Sequence, residues 1–119
     1  IPSLAVETDD GKARIEIAVQ AAPSRAPHLR VDVDLALGEQ PFGGGSAFAS
    51  RPDGASQPCV YADEGQGRAN VFCSMVDVAA VTVVILLPIP PDAINSIEAT
   101  VSGLVREPTP QQPNIATWP

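Results

Sequence analysis

The sequence predicts an all-β protein, folded as a single antiparallel β-sandwich of immunoglobulin-like type with about seven strands. Two stretches alternate strictly between apolar and polar residues, which is the period of a half-buried strand. Thirteen prolines and nine glycines supply frequent turns, and no stretch carries a helical period. A chain of 119 residues suffices for one core but not for two. These patterns leave open whether the strands form a Greek-key sandwich, a jelly roll or a small barrel.

The first three strands have the clearest patterns. Residues 4–21 predict a hairpin, because Asp9-Asp10-Gly11-Lys12 favours a tight turn between two strand-like segments. Pro23 and Pro27 separate this hairpin from a third strand over residues 28–37. Alternate residues of the third strand are apolar and are expected to face the core: Leu29, Val31, Val33, Leu35 and Leu37.

The middle of the chain predicts a long loop followed by three strands. Residues 38–58 are rich in glycine and proline, and only Ser46–Ala49 suggests a short strand within them. One strand begins at Cys59 and the next ends near Cys73. Val78–Leu87 is apolar on both faces, which predicts a strand at the centre of a sheet.

The last strand and the tail complete the predicted domain. Residues 97–106 read as the closing strand, and Gly103 is expected at a bulge or kink in it. The sandwich domain therefore covers residues 1–106. Residues 107–119 are interpreted as a proline-rich extended tail or linker.

Cys59 and Cys73 are the only cysteines, and their spacing argues for a structural disulfide. A redox pair has the C-x-x-C spacing, and a structural zinc site needs about four ligands. Placing the two cysteines opposite each other in a hairpin also sets Tyr61 opposite Val71 on one face, and Val60 opposite Phe72 on the other. Such a disulfide contributes about 3 kcal/mol and predicts a protein that resides outside the cytoplasm.

Charge and hydropathy exclude several kinds of partner. The 14 acidic and 7 basic residues give a net charge of −7, which would repel nucleic acid and anionic membrane surfaces. The longest apolar run, residues 78–89, is shorter than the roughly 20 residues of a membrane helix. Because the chain begins at Ile1 rather than Met, we expect that a signal or anchor segment has been removed.

Few residues suggest a catalytic or metal-binding site, and each of them also has a purely structural interpretation. The acids between the cysteines lack the spacing of an EF-hand loop and predict a hairpin tip. Asp32, Asp34 and His28 could serve catalysis, but they lie on the outer face of one strand without a further catalytic partner. If the second and third strands pair, Arg14 and Arg30 would neutralise these carboxylates. We predict no catalytic residue, no metal site and no cofactor.

The function favoured by the sequence is a non-enzymatic β-sandwich module that acts by protein–protein interaction with an unknown partner. We expect it to be secreted or otherwise extracytoplasmic, in the cell envelope or at the cell surface. The candidate partner-binding loop contains Phe42, Gly43, Gly44, Gly45 and Phe48, although its phenylalanines could instead cap one end of the sandwich. Trp118 is a candidate contact in the tail. The alternative function is an extracytoplasmic carrier that holds a small ligand in a pocket between the sheets.

Overall fold

The computed structural model of the protein describes residues 2–20, 26–38, 44–102 and 115–119, and they form two antiparallel sheets of five strands each. The strands are β1 (Ser3–Asp9), β2 (Lys12–Gln20), β3 (Ala26–Leu37), β4 (Ser46–Ser50), β5 (Ser56–Pro58), β6 (Val60–Gly65), β7 (Arg68–Val78), β8 (Ala80–Leu86), β9 (Ile94–Ser102) and β10 (Ile115–Trp118). A 3-10 turn, Pro91–Ala93, precedes β9. Phe42, Gly43 and Gly103, about which predictions were made, lie outside the described residues.

The two sheets confirm the predicted antiparallel sandwich and give it an immunoglobulin-like strand order. Sheet I has the order β1-β2-β8-β4-β5, and sheet II has the order β10-β9-β3-β7-β6. The neighbours β1-β2-β8 and β10-β9-β3 correspond to strands A-B-E and G-F-C of an immunoglobulin domain. The ten strands exceed the predicted seven, mainly because the predicted loop contains both β4 and β5 and the predicted tail contains β10.

The core lies between the sheets and follows the alternation of the sequence. In β3 the apolar residues face inward as predicted, and each is at most 5% exposed. β8 lies at the centre of sheet I, between β2 and β4. The buried cluster consists largely of valine, isoleucine, leucine and alanine, and among the described residues no charged or polar side chain is buried. Burial of aliphatic surface is therefore the main stabilising contribution.

The valine-rich strand begins later than predicted. Val78 ends β7, and β8 starts at Ala80, so a tight connection replaces the start of the predicted strand. Asp77, the penultimate residue of β7, has φ of 54°, a left-handed conformation that interrupts the strand alternation just before the chain passes to sheet I. Hydropathy did not reveal this connection because Val78 is itself buried, as a residue at the end of a core-facing strand.

The predicted tail is partly corrected by the structure. Ile115–Trp118 pairs with β9 as the edge strand of sheet II, with Trp118 opposite Ile97. The prediction of an extended conformation is right for these four residues, but they belong to the sandwich. Their short length and the surrounding prolines conceal a strand signal, since an edge strand needs hydrogen bonds on one side only.

Candidate functional site

The disulfide lies at the corner where the chain passes from one sheet to the other. Cys59 and Cys73 are joined, with their Cα atoms 4.8 Å apart. The Cys59 amide donates a hydrogen bond to the Ala47 carbonyl in sheet I, while the next residue, Val60, pairs with Phe72 in sheet II. The predicted disulfide and its register are both confirmed, since Tyr61 also pairs with Val71. The bond therefore holds a one-residue crossing between the sheets.

The acids between the cysteines form a hairpin tip. The Asp63 carboxylate accepts a hydrogen bond from the Gly65 amide at 2.9 Å, and Gln66 and Gly67 form the turn with positive φ. Gly67 also lies against the end of β3, where a Cβ would come within 2.7 Å of the Leu37 carbonyl oxygen. In the described parts of the chain, no group of three His, Cys, Asp or Glu side chains is arranged to hold a metal ion.

The predicted partner-binding loop is only partly a loop. Gly44 is exposed with φ of 94°, and Gly45 packs against the ring of Tyr61, where a Cβ would clash. Phe48 lies in β4 on the outer face of sheet I, beside Val84 and Pro58, and is half-buried. It is therefore neither at a loop tip nor folded over the end of the sandwich, because its strand position directs it outward.

Tyr61, which packs against Gly45, is half-buried, but its hydroxyl is the one inaccessible side-chain polar atom without a hydrogen bond among the described residues. Its hydroxyl oxygen is inaccessible to solvent and has no partner there. Burial, together with the nearby Asp63 carboxylate, raises the pKa of Tyr61, since both disfavour the phenolate. The position of Tyr61 is structural, between the Gly44–Gly45 segment and the core.

Trp118 faces inward from β10. It is half-buried and packs against the core cluster, opposite the buried Ile97. With β10 in the sheet, a partner can contact only the part of the Trp118 ring that remains exposed. The structure therefore places this candidate residue in the framework of the domain.

The feature that sequence reasoning missed is the outer face of sheet II. All three exposed large hydrophobic residues of the described chain point outward from this sheet: Val60 is 61% exposed, Val76 is 55% exposed and Ile115 is 40% exposed. Cross-strand pairing places Ile115, Thr100, Asp32, Phe72 and Val60 in one row across all five strands. The strand alternation in the sequence predicts that these residues face outward. It does not predict which strands share a sheet, so it could not show that they lie on one face.

Polar side chains in the middle of this face are linked to one another. The side-chain amide nitrogen of Asn70 donates to the Asp32 carboxylate at 2.7 Å and to the Asp34 carboxylate at 2.9 Å. The guanidinium of Arg30 lies 4.4 Å from the centre of the Phe72 ring and 3.8 Å from the Asp32 carboxylate. A shallow open groove of about 450 Å³ is lined by Arg30, Asp32, Asp34, Asn70, Thr100 and Ser102.

The expected cross-strand neutralisation of the acids is wrong for Arg14. β2 and β3 belong to different sheets, and Arg14 instead pairs with Glu16 in its own strand at 2.9 Å. The neighbour of Asp34 across the sheet is Glu98, another acid. His28 is exposed at the start of β3, about 13 Å along the strand from Asp32, beyond hydrogen-bonding distance.

Two further clefts lie at one end of sheet I. The larger, about 490 Å³, is lined by the ends of β2, β4 and β8 together with Arg51 and Pro52. The smaller, about 260 Å³, adjoins it between Asp53 and Asp77. Both open at the surface, whereas the space between the sheets holds the contiguous apolar core. None of the three clefts described is the inter-sheet pocket that a carrier function predicts.

Comparisons with known proteins reveal no family. No protein-family model and no curated protein matches the sequence. Among solved structures, ChBD3 from Thermococcus kodakarensis KOD1 is similar with a TM-score of 0.47 and 11% identity, covering 87% of each chain. AvmM, which catalyses macrocyclization in alchivemycin A biosynthesis, is similar with a TM-score of 0.44 and 8% identity over 98% of this chain and 86% of that one. Similarities this weak transfer neither protein's activity to this chain.

The sequence predicts no membrane-spanning helix, because its longest apolar run, residues 78–89, is too short. Within the described ranges, no helix has the length and apolar character that crossing a membrane requires.

Proposed function

We propose that the protein is a non-enzymatic binding module that acts by protein–protein contact, with the outer face of sheet II as its contact surface. The observation that carries this proposal is that Val60, Val76 and Ile115, the exposed large hydrophobic residues of the described chain, all lie on this one face. Single exposed hydrophobic residues are ordinary, but several on one sheet beside an aromatic ring are typical of an interaction site.

The contents of the face suit binding better than catalysis. Asn70 orients two carboxylates and Arg30 stacks on Phe72, so the polar groups engage one another. A general acid or base works in a concave site beside its substrate, whereas these carboxylates lie on a shallow sheet surface. Aromatic and arginine side chains are enriched among residues that dominate protein–protein binding energy.

We further propose that the module works outside the cytoplasm. Both cysteines form one disulfide, and such bonds persist mainly in oxidising compartments. Thiol titration of the protein isolated from its source should find no free thiol before reduction and two afterwards. Two free thiols in the untreated protein would contradict this assignment.

Position-specific crosslinking tests the contact surface. A photoactivatable residue at Val60 or Val76 should yield a crosslinked protein in the extracellular fraction of the source cells. The control position is Ala5, which is exposed on the outer face of sheet I. Equal crosslinking from Ala5, or none from sheet II, would reject this face as the contact surface.

A further inference from the structure

The geometry points to a basic protein segment as the partner of the outer face of sheet II: an extended stretch bearing Lys or Arg between apolar side chains. This inference rests on the proposed contact function and specifies its chemistry. It is carried by the charges in the middle of the face and the apolar residues around them.

The acids of the face exceed its bases. Asp32, Asp34 and Glu98 point outward from the two adjoining strands β3 and β9, and Arg30 is the one base among them. The Arg30 guanidinium stacks on Phe72 and is only loosely paired with Asp32, at 3.8 Å. Asp34 and Glu98 have no ion pair among the described residues. Arg68 is a second base on this face, two residues from Asn70 along β7 and opposite Ala36, so the face holds three acids against two bases.

Asp34 and Glu98 are direct neighbours across the sheet. Like charges in directly opposite positions destabilise a sheet, because their Cβ atoms are only about 5 Å apart. Folding gains nothing from this arrangement, since neutral residues would pair better there. A cationic side chain lying over both carboxylates would relieve the repulsion between them. The relief of this repulsion would then contribute to the free energy of binding.

Asn70 fixes the orientation of the Asp32 and Asp34 carboxylates to which such a cation would bind. Its amide holds Asp32 and Asp34 through one oxygen of each carboxylate. The two side chains are therefore ordered before a partner arrives, which lowers the entropy lost on binding. The remaining oxygen of Asp34 is available to a donor, and Arg or Lys supplies such donors.

The apolar residues flank this acidic centre on both sides. Val60 and Ile115 lie at opposite ends of the row that contains Asp32, and Val76 lies beyond Arg30 on β7. Five strands span about 20 Å, which corresponds to about six residues of an extended segment. A segment with its base at the centre and apolar residues near its ends matches this pattern.

A second copy of the chain does not fit the face. The patch from Val76 to Glu98 measures about 20 Å along the strands and about 20 Å across them, so two copies joined through it would bury about 400 Å² each, below the roughly 800 Å² per partner of a standard interface. Two such faces would also bring their acids together. Charge complementarity therefore favours a basic partner over self-association.

The test uses isotope-labelled protein and synthetic peptides, with amide chemical shifts reporting the binding site. The probe is the peptide Val-Ser-Lys-Ser-Lys-Ser-Val, which in an extended conformation presents Val, Lys, Lys and Val on one face. The comparison peptide carries Glu in place of Lys. The Lys peptide should shift amides of β9, β3 and β7, and the Glu peptide should leave them unchanged. Failure of the Lys peptide to perturb these strands would overturn the inference.

Two matched double variants separate the effect of local charge from that of total charge. Asp34→Asn with Glu98→Gln should weaken binding of the Lys peptide about 5- to 10-fold, while raising the urea midpoint of unfolding. Glu7→Gln with Asp10→Asn removes the same charge from the β1–β2 hairpin and should change binding by less than about twofold. Equal effects of the two variants would overturn the inference.

A third variant distinguishes failure of the inference from failure of the proposed function. Val60→Ser with Val76→Ser removes exposed apolar surface and leaves every charge in place. Crosslinking of both variants is measured with the photoactivatable residue at Ile115, which lies on the same face. If the Val60 and Val76 variant loses crosslinking to the natural partner while the charge variant retains it, the face is a contact site whose partner is not basic. If both variants retain full crosslinking, the contact function of the face is itself rejected.

Discussion

At the scale of single residues, the environment of Tyr61 is energetically unfavourable for its hydroxyl group. Its hydroxyl is buried without a hydrogen-bond partner among the described groups, and its ring packs against the Cα of Gly45. A buried hydroxyl of this kind costs free energy that a phenyl ring would not. Tyr61→Phe should therefore leave the free energy of unfolding unchanged or raise it by up to about 1 kcal/mol, measured by urea denaturation.

The raised pKa of Tyr61 also predicts a pH dependence. The unfolded tyrosine ionises near its ordinary value of 10.0, and the folded one ionises at higher pH. The folded state therefore keeps its proton longer, and stability falls as pH rises above about 10. Tyr61 is the only tyrosine, so the ultraviolet absorbance of tyrosinate follows it alone. In Tyr61→Phe the loss of stability above this pH should be reduced, and an identical loss in both proteins would contradict the assignment.

At the scale of elements, the crossing from β5 to β6 depends on the disulfide. One residue, Cys59, separates a strand of sheet I from a strand of sheet II, and its sulfur is tied to Cys73 in β7. Replacing both cysteines by alanine should lower the free energy of unfolding by about 3 kcal/mol. Reduced wild-type protein serves as the control and should unfold at the same urea concentration as the variant. A variant as stable as the oxidised protein would show that the crossing holds without the bond.

The edge strand β10 allows a second test at this scale. Trp118 is the only tryptophan and packs half-buried against the core, so its fluorescence should shift to longer wavelength as the protein unfolds. Trp118→Ala should cost about 1–2 kcal/mol, less than the roughly 3–5 kcal/mol of a fully buried aromatic residue. Ile115→Ala, on the opposite face of the same strand, should cost less. Emission typical of water in the native protein would instead support the free tail predicted from sequence.

At the scale of the whole molecule, salt should act on stability and binding in opposite directions. A net charge of −7 repels itself in the compact state, and raising salt from about 0.01 M to about 1 M shortens the Debye length from about 30 Å to about 3 Å. The urea midpoint should rise across this range while binding of the Lys peptide weakens. Parallel denaturation and titration measurements check this, and binding that strengthens with salt would point to an apolar partner.

The sequence could predict those features that depend on local alternation. The faces of β3, the central position of β8 and the register of the cysteine hairpin follow from the spacing of apolar residues, and the structure confirms each of them. The assignment of strands to sheets could not be predicted, because it depends on pairing between distant segments. The pairing expected for Arg14 failed for this reason, and the contact face was missed because Val60, Val76 and Ile115 come from three strands.

The strand order also has a consequence for how the chain folds. Val33 pairs with Ala99, and Ile17 pairs with Val83, so the middle of each sheet joins segments separated by more than half the chain. Such distant pairing is slow, and we expect folding over milliseconds to seconds, as is typical of sandwiches. The hairpin of β6 and β7 differs from these pairs because its strands are adjacent in sequence, and it differs from the β1–β2 hairpin because a disulfide also crosslinks it. When the disulfide is formed, the β6–β7 hairpin is held together before the rest of the chain folds, and β3 can pair with its strand β7. Stopped-flow refolding should therefore be faster for the oxidised chain than for the reduced one.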